Sequence, residues 1–144
     1  MKTVVLDASV VLKWVLPSRF EESHSREALD ILDCIQMARL DALQPPHWLA
    51  EAAAVLARLV PERSEEAIDL LYSFELPAMV DLAVYRRAVQ IAASLREHVF
   101  DTLYHAVALQ QSNTVLVTAD ERYYRKAAGL GKVVRLQEFE LERA

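Results

Sequence analysis

Thr3 to Leu6 is an unbroken run of four apolar or β-branched residues that stops at Asp7, and this junction constrains the chain more than any other stretch. A short run without alternation suits a strand buried on both faces, as in a parallel sheet covered by helices. Ser9 is placed to cap a helix, and Val10, Val11 and Trp14 begin a helical spacing, so Asp7 lies between a strand and a helix. In open α/β sheets ligands bind at the carboxyl ends of strands, which makes a lone carboxylate there a site candidate.

The pattern repeats along the chain. Leu16-Pro17-Ser18 ends the first helix, and a second, amphipathic one runs from Glu21 to Ala38 with Ala28, Ile31, Leu32 and Ile35 on one face. Asp41 to Gln44 is a short strand, and Pro45-Pro46 then leads into an alanine-rich helix from His47 to Val60. Ser64 with Glu65 and Glu66 opens the next helix. Pro77 to Leu82 reads as a strand, Val84 to His98 and Asp101 to Gln111 as helices, Thr114 to Thr118 as a buried strand, Asp120 to Ala128 as a helix, and Val133 to Leu136 as a last strand. Strands alternating with helices predict an α/β fold: a three-layer α/β/α sandwich around a mostly parallel sheet of about five strands. At 144 residues, a single domain spanning 1–144 is expected.

Composition narrows the chemistry. Gly129 and Gly131 are the only glycines, which excludes a glycine-rich phosphate loop. Cys34 is the only cysteine, so neither an intrachain disulfide nor a thiolate zinc site is supported. No stretch approaches the roughly 20 apolar residues of a membrane span, and Asp7 interrupts the first apolar run, so a cytosolic protein without a signal peptide is expected. The net charge of −5 opposes nucleic-acid binding unless metal ions or a local basic face compensate.

Four carboxylates occupy telling places. Asp7 follows the first strand, Asp120 follows the TVLVT strand, and Asp101 heads the helix leading into that strand. Glu51 stands alone among Leu49, Ala50, Ala52, Ala53 and Ala54, where a buried charge without a partner is costly. Taken singly, each aspartate is more often a helix cap than a ligand, and Glu51 has His47 one turn back as a salt-bridge partner. Converging, they would repel one another unless a divalent ion lay between them, and oxygen-only ligands suit Mg²⁺ or Mn²⁺. Such a site serves phosphodiester hydrolysis and would let an acidic protein accept an acidic polymer.

DASVVLKW around Asp7, PPHWLAEAAAVL around Glu51, VFDTLYHAVAL around Asp101 and LVTADERYY around Asp120 resemble the four motif blocks of the PIN-domain ribonucleases, in family order. The closer resemblance is to VapC toxins of toxin-antitoxin modules, and it spans Val4 to Leu136. It implies a metal-dependent endoribonuclease in which Asp7 and Asp101 are the closest metal ligands and Asp120 and Glu51 complete the pocket directly or through water. It further implies that Ser9 and Thr118 position water or phosphate, that a metal-activated water leaves 5′-phosphate and 3′-hydroxyl ends, that a cognate antitoxin blocks the pocket, and that the nuclease is a homodimer. Two positions depart from the pattern. Ala54 stands where the family often has Asn, and His105 stands where relatives are more often apolar; a second-layer donor, an RNA contact or a packed core histidine are its alternatives.

Arg122, Arg125 and Lys126, interleaved with Tyr123 and Tyr124, and Lys13 are candidate RNA contacts, against the plain alternative of a solvated helix face. Two other classes stay open: a PIN-like module that binds RNA or protein without cutting, and a phosphoryl-accepting receiver domain. The receiver fits poorly, because receivers pair acidic residues at the first strand and here Ala8 and Ser9 follow Asp7.

Overall fold

The computed structural model describes residues 1–16 and 24–142. Pro17 and Ser18, expected to end the first helix, and residues 21–23, expected to open the second, lie outside the described residues. Four parallel strands form one sheet in the order β2-β1-β3-β4, with β1 Thr3–Leu6, β2 Asp41–Ala42, β3 Thr114–Thr118 and β4 Val133–Arg135. Among the described residues the α-helices are α1 Ala8–Val15, α2 Ser25–Gln36, α3 Trp48–Leu59, α4 Ser64–Ser73, α5 Leu82–Leu95, α6 Val99–Gln110 and α7 Glu121–Ala127. None is long and apolar enough to cross a membrane.

From β1 the chain steps to β2 on one side, then returns past β1 to β3 on the other. Right-handed crossovers that reverse direction put their helices on opposite faces of the sheet. α1 and α6 each pack on both β1 and β3, so the central strand pair is enclosed, which gives the α/β/α layering. This is why Val4, Val5 and Leu6 have no polar alternation: all three are fully buried. Val10 and Val11 of α1, Leu116 and Val117 of β3, and Ala106 and Val107 of α6 close the core around them.

The expected strand at Pro77 to Leu82 is not a strand. Its whole contribution is an isolated parallel bridge between Gln44 and Ala78, with Gln44 N donating to Pro77 O and Met79 N to Gln44 O, both at 2.8 Å. Proline supplies no N–H to extend a ladder, so pairing stops there and, among the described residues, the sheet has four strands rather than about five. β2 is short for a related reason. Beyond Ala42 the Gln44 side chain replaces the ladder, as Leu6 N donates to Gln44 Oε1 at 2.8 Å and Gln44 Nε2 donates to Leu6 O at 2.7 Å.

Helix ends also differ from expectation where tertiary bonds decide them. α5 stops at Leu95, because Arg96 adopts the left-handed conformation with φ 56° and Glu97 N turns back to Ala92 O. α6 accordingly begins two residues earlier than Asp101, at Val99. Thr102 ties α6 to α5 by donating its hydroxyl to Ala88 O at 2.7 Å.

Candidate active site

The in-register pairing of β1 with β3 builds the site. Leu6 pairs with Val117, so one step further Asp7 lies beside Thr118, and the Thr118 hydroxyl donates to Asp7 Oδ2 at 2.5 Å. The N-cap of α1 is Asp7 and not the expected Ser9, because the aspartate carboxylate accepts from Ser9 N at 3.1 Å. The Ser9 hydroxyl also donates to Asp7 Oδ1. Each hydroxyl in turn accepts a backbone N–H from the turn after β3: Ala119 N to Ser9 Oγ at 2.9 Å and Asp120 N to Thr118 Oγ1 at 3.0 Å. Ser9 and Thr118 thus spend their protons on Asp7 and lock the two strand ends together through its carboxylate.

Three further carboxylates surround this one. Asp120 caps α7 by accepting from Tyr123 N at 3.0 Å. Asp101 sits in the first turn of α6, and Glu51 projects from the first turn of α3. Burial pushes the Asp7 carboxyl up to about 7, against the hydrogen bonds from Ser9 and Thr118, and the charges of Asp120 and Glu51 push the same way. Asp101 is raised by burial and by the charges of Asp120 and Glu97, with His98 and Arg122 opposing. Glu51 is raised by burial and by Asp101, and is steadied by the Tyr104 hydroxyl, which donates to its Oε1 at 2.9 Å. Mutual influence links all four carboxylates. His47 approaches Glu51 only to 3.9 Å, because its Nε2–H is given to Phe100 O at 2.8 Å.

Asp7 gives this cluster a pH signature. Its folded-state value lies above the ordinary one of 3.8, so between the two the native state holds a proton that the unfolded chain has released. Stability from this group is therefore full below the ordinary value and lost as pH rises toward 7. With a chelator present, the melting temperature of Asp7→Asn is expected to exceed that of the wild type by a margin that widens from pH 5 to pH 8. A constant margin across that range would show that Asp7 titrates normally.

The donor set is all oxygen, which fits Mg²⁺ or Mn²⁺. Among the described residues no three His, Cys, Asp or Glu side chains stand close enough to ligate one ion together. Mg²⁺ is commonly held through one or two carboxylates with water completing its shell, which does not require three side chains on one ion.

Of the basic residues, Arg122 forks its guanidinium onto Glu97, with Nη2 to Oε2 at 3.0 Å, and Lys126 Nζ reaches the same carboxylate at 3.1 Å. Arg125 pairs with Glu121 at 3.3 Å. Lys13 is buried in α1. Tyr123 is buried, and the Arg135 guanidinium covers one face of the half-buried Tyr124 ring at 4.1 Å. His105 is a core histidine: its Nε2–H donates to Gly131 O at 2.8 Å, and Nδ1 accepts the Tyr123 hydroxyl at 3.0 Å. Burial lowers its pKa and keeps it neutral, and it ties α6 to α7 rather than facing the pocket.

Two residues of this region escape a reading of the sequence. Tyr104 lies three positions after Asp101, a spacing that places both on one side of α6 and is the signal that could have found it. Glu97, whose side chain is 2% exposed, meets cations from a distant helix, and no local spacing announces that.

A solved structure, "2.2 A resolution structure of VapBC-1 from nontypeable Haemophilus influenzae", shares this fold with a TM-score of 0.61 at 14% identity, over 94% of this chain and 99% of that one. No curated protein matches the sequence. The family model described as PIN domain matches residues 4–129, a span that takes in Asp7, Glu51, Asp101 and Asp120, and the chain therefore belongs to the PIN domain family.

Proposed function

We propose that this PIN domain is a metal-dependent endoribonuclease of the VapC-like toxin type, held in check by a cognate antitoxin and acting as a homodimer. The observation that carries the reading is Asp7, a carboxyl whose pKa is raised to about 7 yet which is fixed by hydroxyls on both oxygens, with Asp120 and Glu51 acting on it and Asp101 linked to it through those two. Keeping a charge there uncompensated is unfavourable, and a cation is the natural complement.

Asp7 and Asp101 would hold Mg²⁺ or Mn²⁺ most directly, with Asp120 and Glu51 joining directly or through water. Bound there, the ion supplies Lewis acidity at the phosphate and lowers the pKa of the attacking water. The chain's own part is to place charge and exclude motion. Ser9 and Thr118 keep Asp7 in one rotamer, and Tyr104 keeps Glu51 turned toward the pocket. Arg122, Arg125 and Lys126 remain candidate phosphate contacts, whereas the burial of Lys13 argues against that residue; Arg122 is 61% exposed even while paired with Glu97. In-line attack by water on phosphorus would leave 5′-phosphate and 3′-hydroxyl ends.

Purified protein with Mg²⁺ or Mn²⁺ is expected to cut RNA, and EDTA is expected to stop it. Cleavage that persists in EDTA would sink the metal. That no three such side chains among the described residues stand close enough to hold one ion leaves room for a second reading, a PIN module that binds RNA or protein without cutting. Calorimetric titration separates the two: Mn²⁺ uptake that Asp7→Asn removes favours the nuclease, and no uptake favours the binder.

A further inference from the structure

Phe100 immediately precedes Asp101 in the first turn of α6, and its side chain is 59% exposed. A large apolar ring thus stands in water next to Asp101 of the carboxylate cluster. It is nevertheless held firmly. The His47 ring stacks on it with centroids 5.3 Å apart and planes 24° from parallel, while His47 Nε2–H is bonded to the carbonyl of Phe100 itself at 2.8 Å. His47 also meets the Tyr104 ring at 4.9 Å, and Tyr104 holds Glu51. The three rings form one wall running from the acidic pocket to solvent, with its outermost ring open to the outside.

Resting on the ribonuclease reading, we propose that Phe100 is the stacking platform for a nucleobase of single-stranded RNA beside the scissile phosphate, with His47 as the residue that positions it. Bases splayed from a single strand stack on aromatic side chains, and every base offers a face, so the contact tolerates sequence. The surroundings favour a base over an apolar protein surface. Asp101 follows Phe100 in the chain and His98 and Glu97 lie two and three positions before it, so charged and polar residues flank it, whereas a protein-docking patch needs contiguous apolar neighbours. With Asp101 next in the chain, a base on this ring would set its own phosphate at the carboxylates.

The test compares Phe100→Ala and Phe100→Tyr with their wild-type parent, by anisotropy of a short fluorescein-labelled single-stranded RNA, with Ca²⁺ in place of Mg²⁺ so that the carboxylates keep a divalent ion. Phe100→Ala is expected to weaken binding by about five- to a hundredfold, with Phe100→Tyr keeping most of it. With Mg²⁺ the same loss should fall on KM with kcat little changed, and His47→Ala should give a smaller shift of the same kind. Phe100→Trp adds an exposed indole to a chain whose Trp14 and Trp48 are buried, and its emission should be quenched by the RNA. Equal affinity for the parent and Phe100→Ala overturns the proposal, as does absence of RNA binding by the parent or loss only of binding to a protein partner. If wild-type protein cuts no RNA but Phe100→Ala still weakens binding, the nuclease reading fails and the platform stands.

Discussion

Asp7→Asn is expected to lower the rate of RNA cleavage by about a thousandfold or more while leaving the protein folded and, without metal, more stable above pH 7. The size follows from the several kcal/mol that a divalent ion supplies to phosphoryl chemistry, since about 4 kcal/mol is a thousandfold in rate. Survival of the fold follows from the hydrogen bonds. The asparagine oxygen can still accept from Ser9 N and Oγ, keeping the α1 cap. Its amide would point at Thr118 Oγ1, which has a lone pair to spare after accepting from Asp120 N. The gain in stability comes from deleting a charge that burial and the charges of Asp120 and Glu51 oppose. Mn²⁺ should therefore raise the melting temperature of the wild type at pH 8 and leave that of Asp7→Asn nearly unmoved. A variant that is folded, unresponsive to Mn²⁺ and still active would remove Asp7 from the reaction.

Much of this arrangement is legible in the sequence because it is local. β1 and β3 have the bounds that their residues predict, since a fully buried parallel strand carries an apolar run that little else of that length imitates. The positions of Asp7 and Asp120 at strand ends follow, and so does the cap reading, since each caps a helix; the charge of Asp120 also acts on Asp7. What is not legible depends on partners far along the chain. Gln44 reads as the end of a short strand, with nothing to say that its side chain meets Leu6, thirty-eight positions away, and His47 gives no hint of Phe100, fifty-three positions away. The basic stripe on α7 is visible as a stripe, but Glu97, which draws in Arg122 and Lys126, is twenty-five residues from the former. Periodicity reports which face is buried. It is silent on which polar atoms find each other.

Gln44→Leu is expected to destabilise the protein by about 2–6 kcal/mol, a large part of the roughly 5–15 kcal/mol that holds a domain of this size together. β2 pairs with Thr3 and Val4 and no further, apart from Leu43 N reaching Val4 O at 3.0 Å. Beyond that point the outer edge of β1 faces no strand, and Leu6 would have an N–H and a C=O buried without partners. Gln44, itself fully buried, satisfies both with one amide. Leucine fills nearly the same space and satisfies neither, at about 1–3 kcal/mol for each orphaned group. Gln44→Glu sharpens the point, because an ionised carboxylate can accept from Leu6 N but cannot donate to Leu6 O. Its deficit should shrink as pH falls and the new carboxyl gains a proton to donate. A Gln44→Met control, neutral at every pH, should keep its full deficit throughout. Denaturant unfolding of the three variants at pH 5 and pH 8 reads this directly, and equal stability of wild type and Gln44→Leu would mean that the amide bridge holds nothing. Because Leu6 is joined to Asp7, loosening it also frees the carboxylate that Ser9 and Thr118 clasp. Cleavage by folded Gln44→Leu should accordingly fall even where denaturant curves show the native state fully populated.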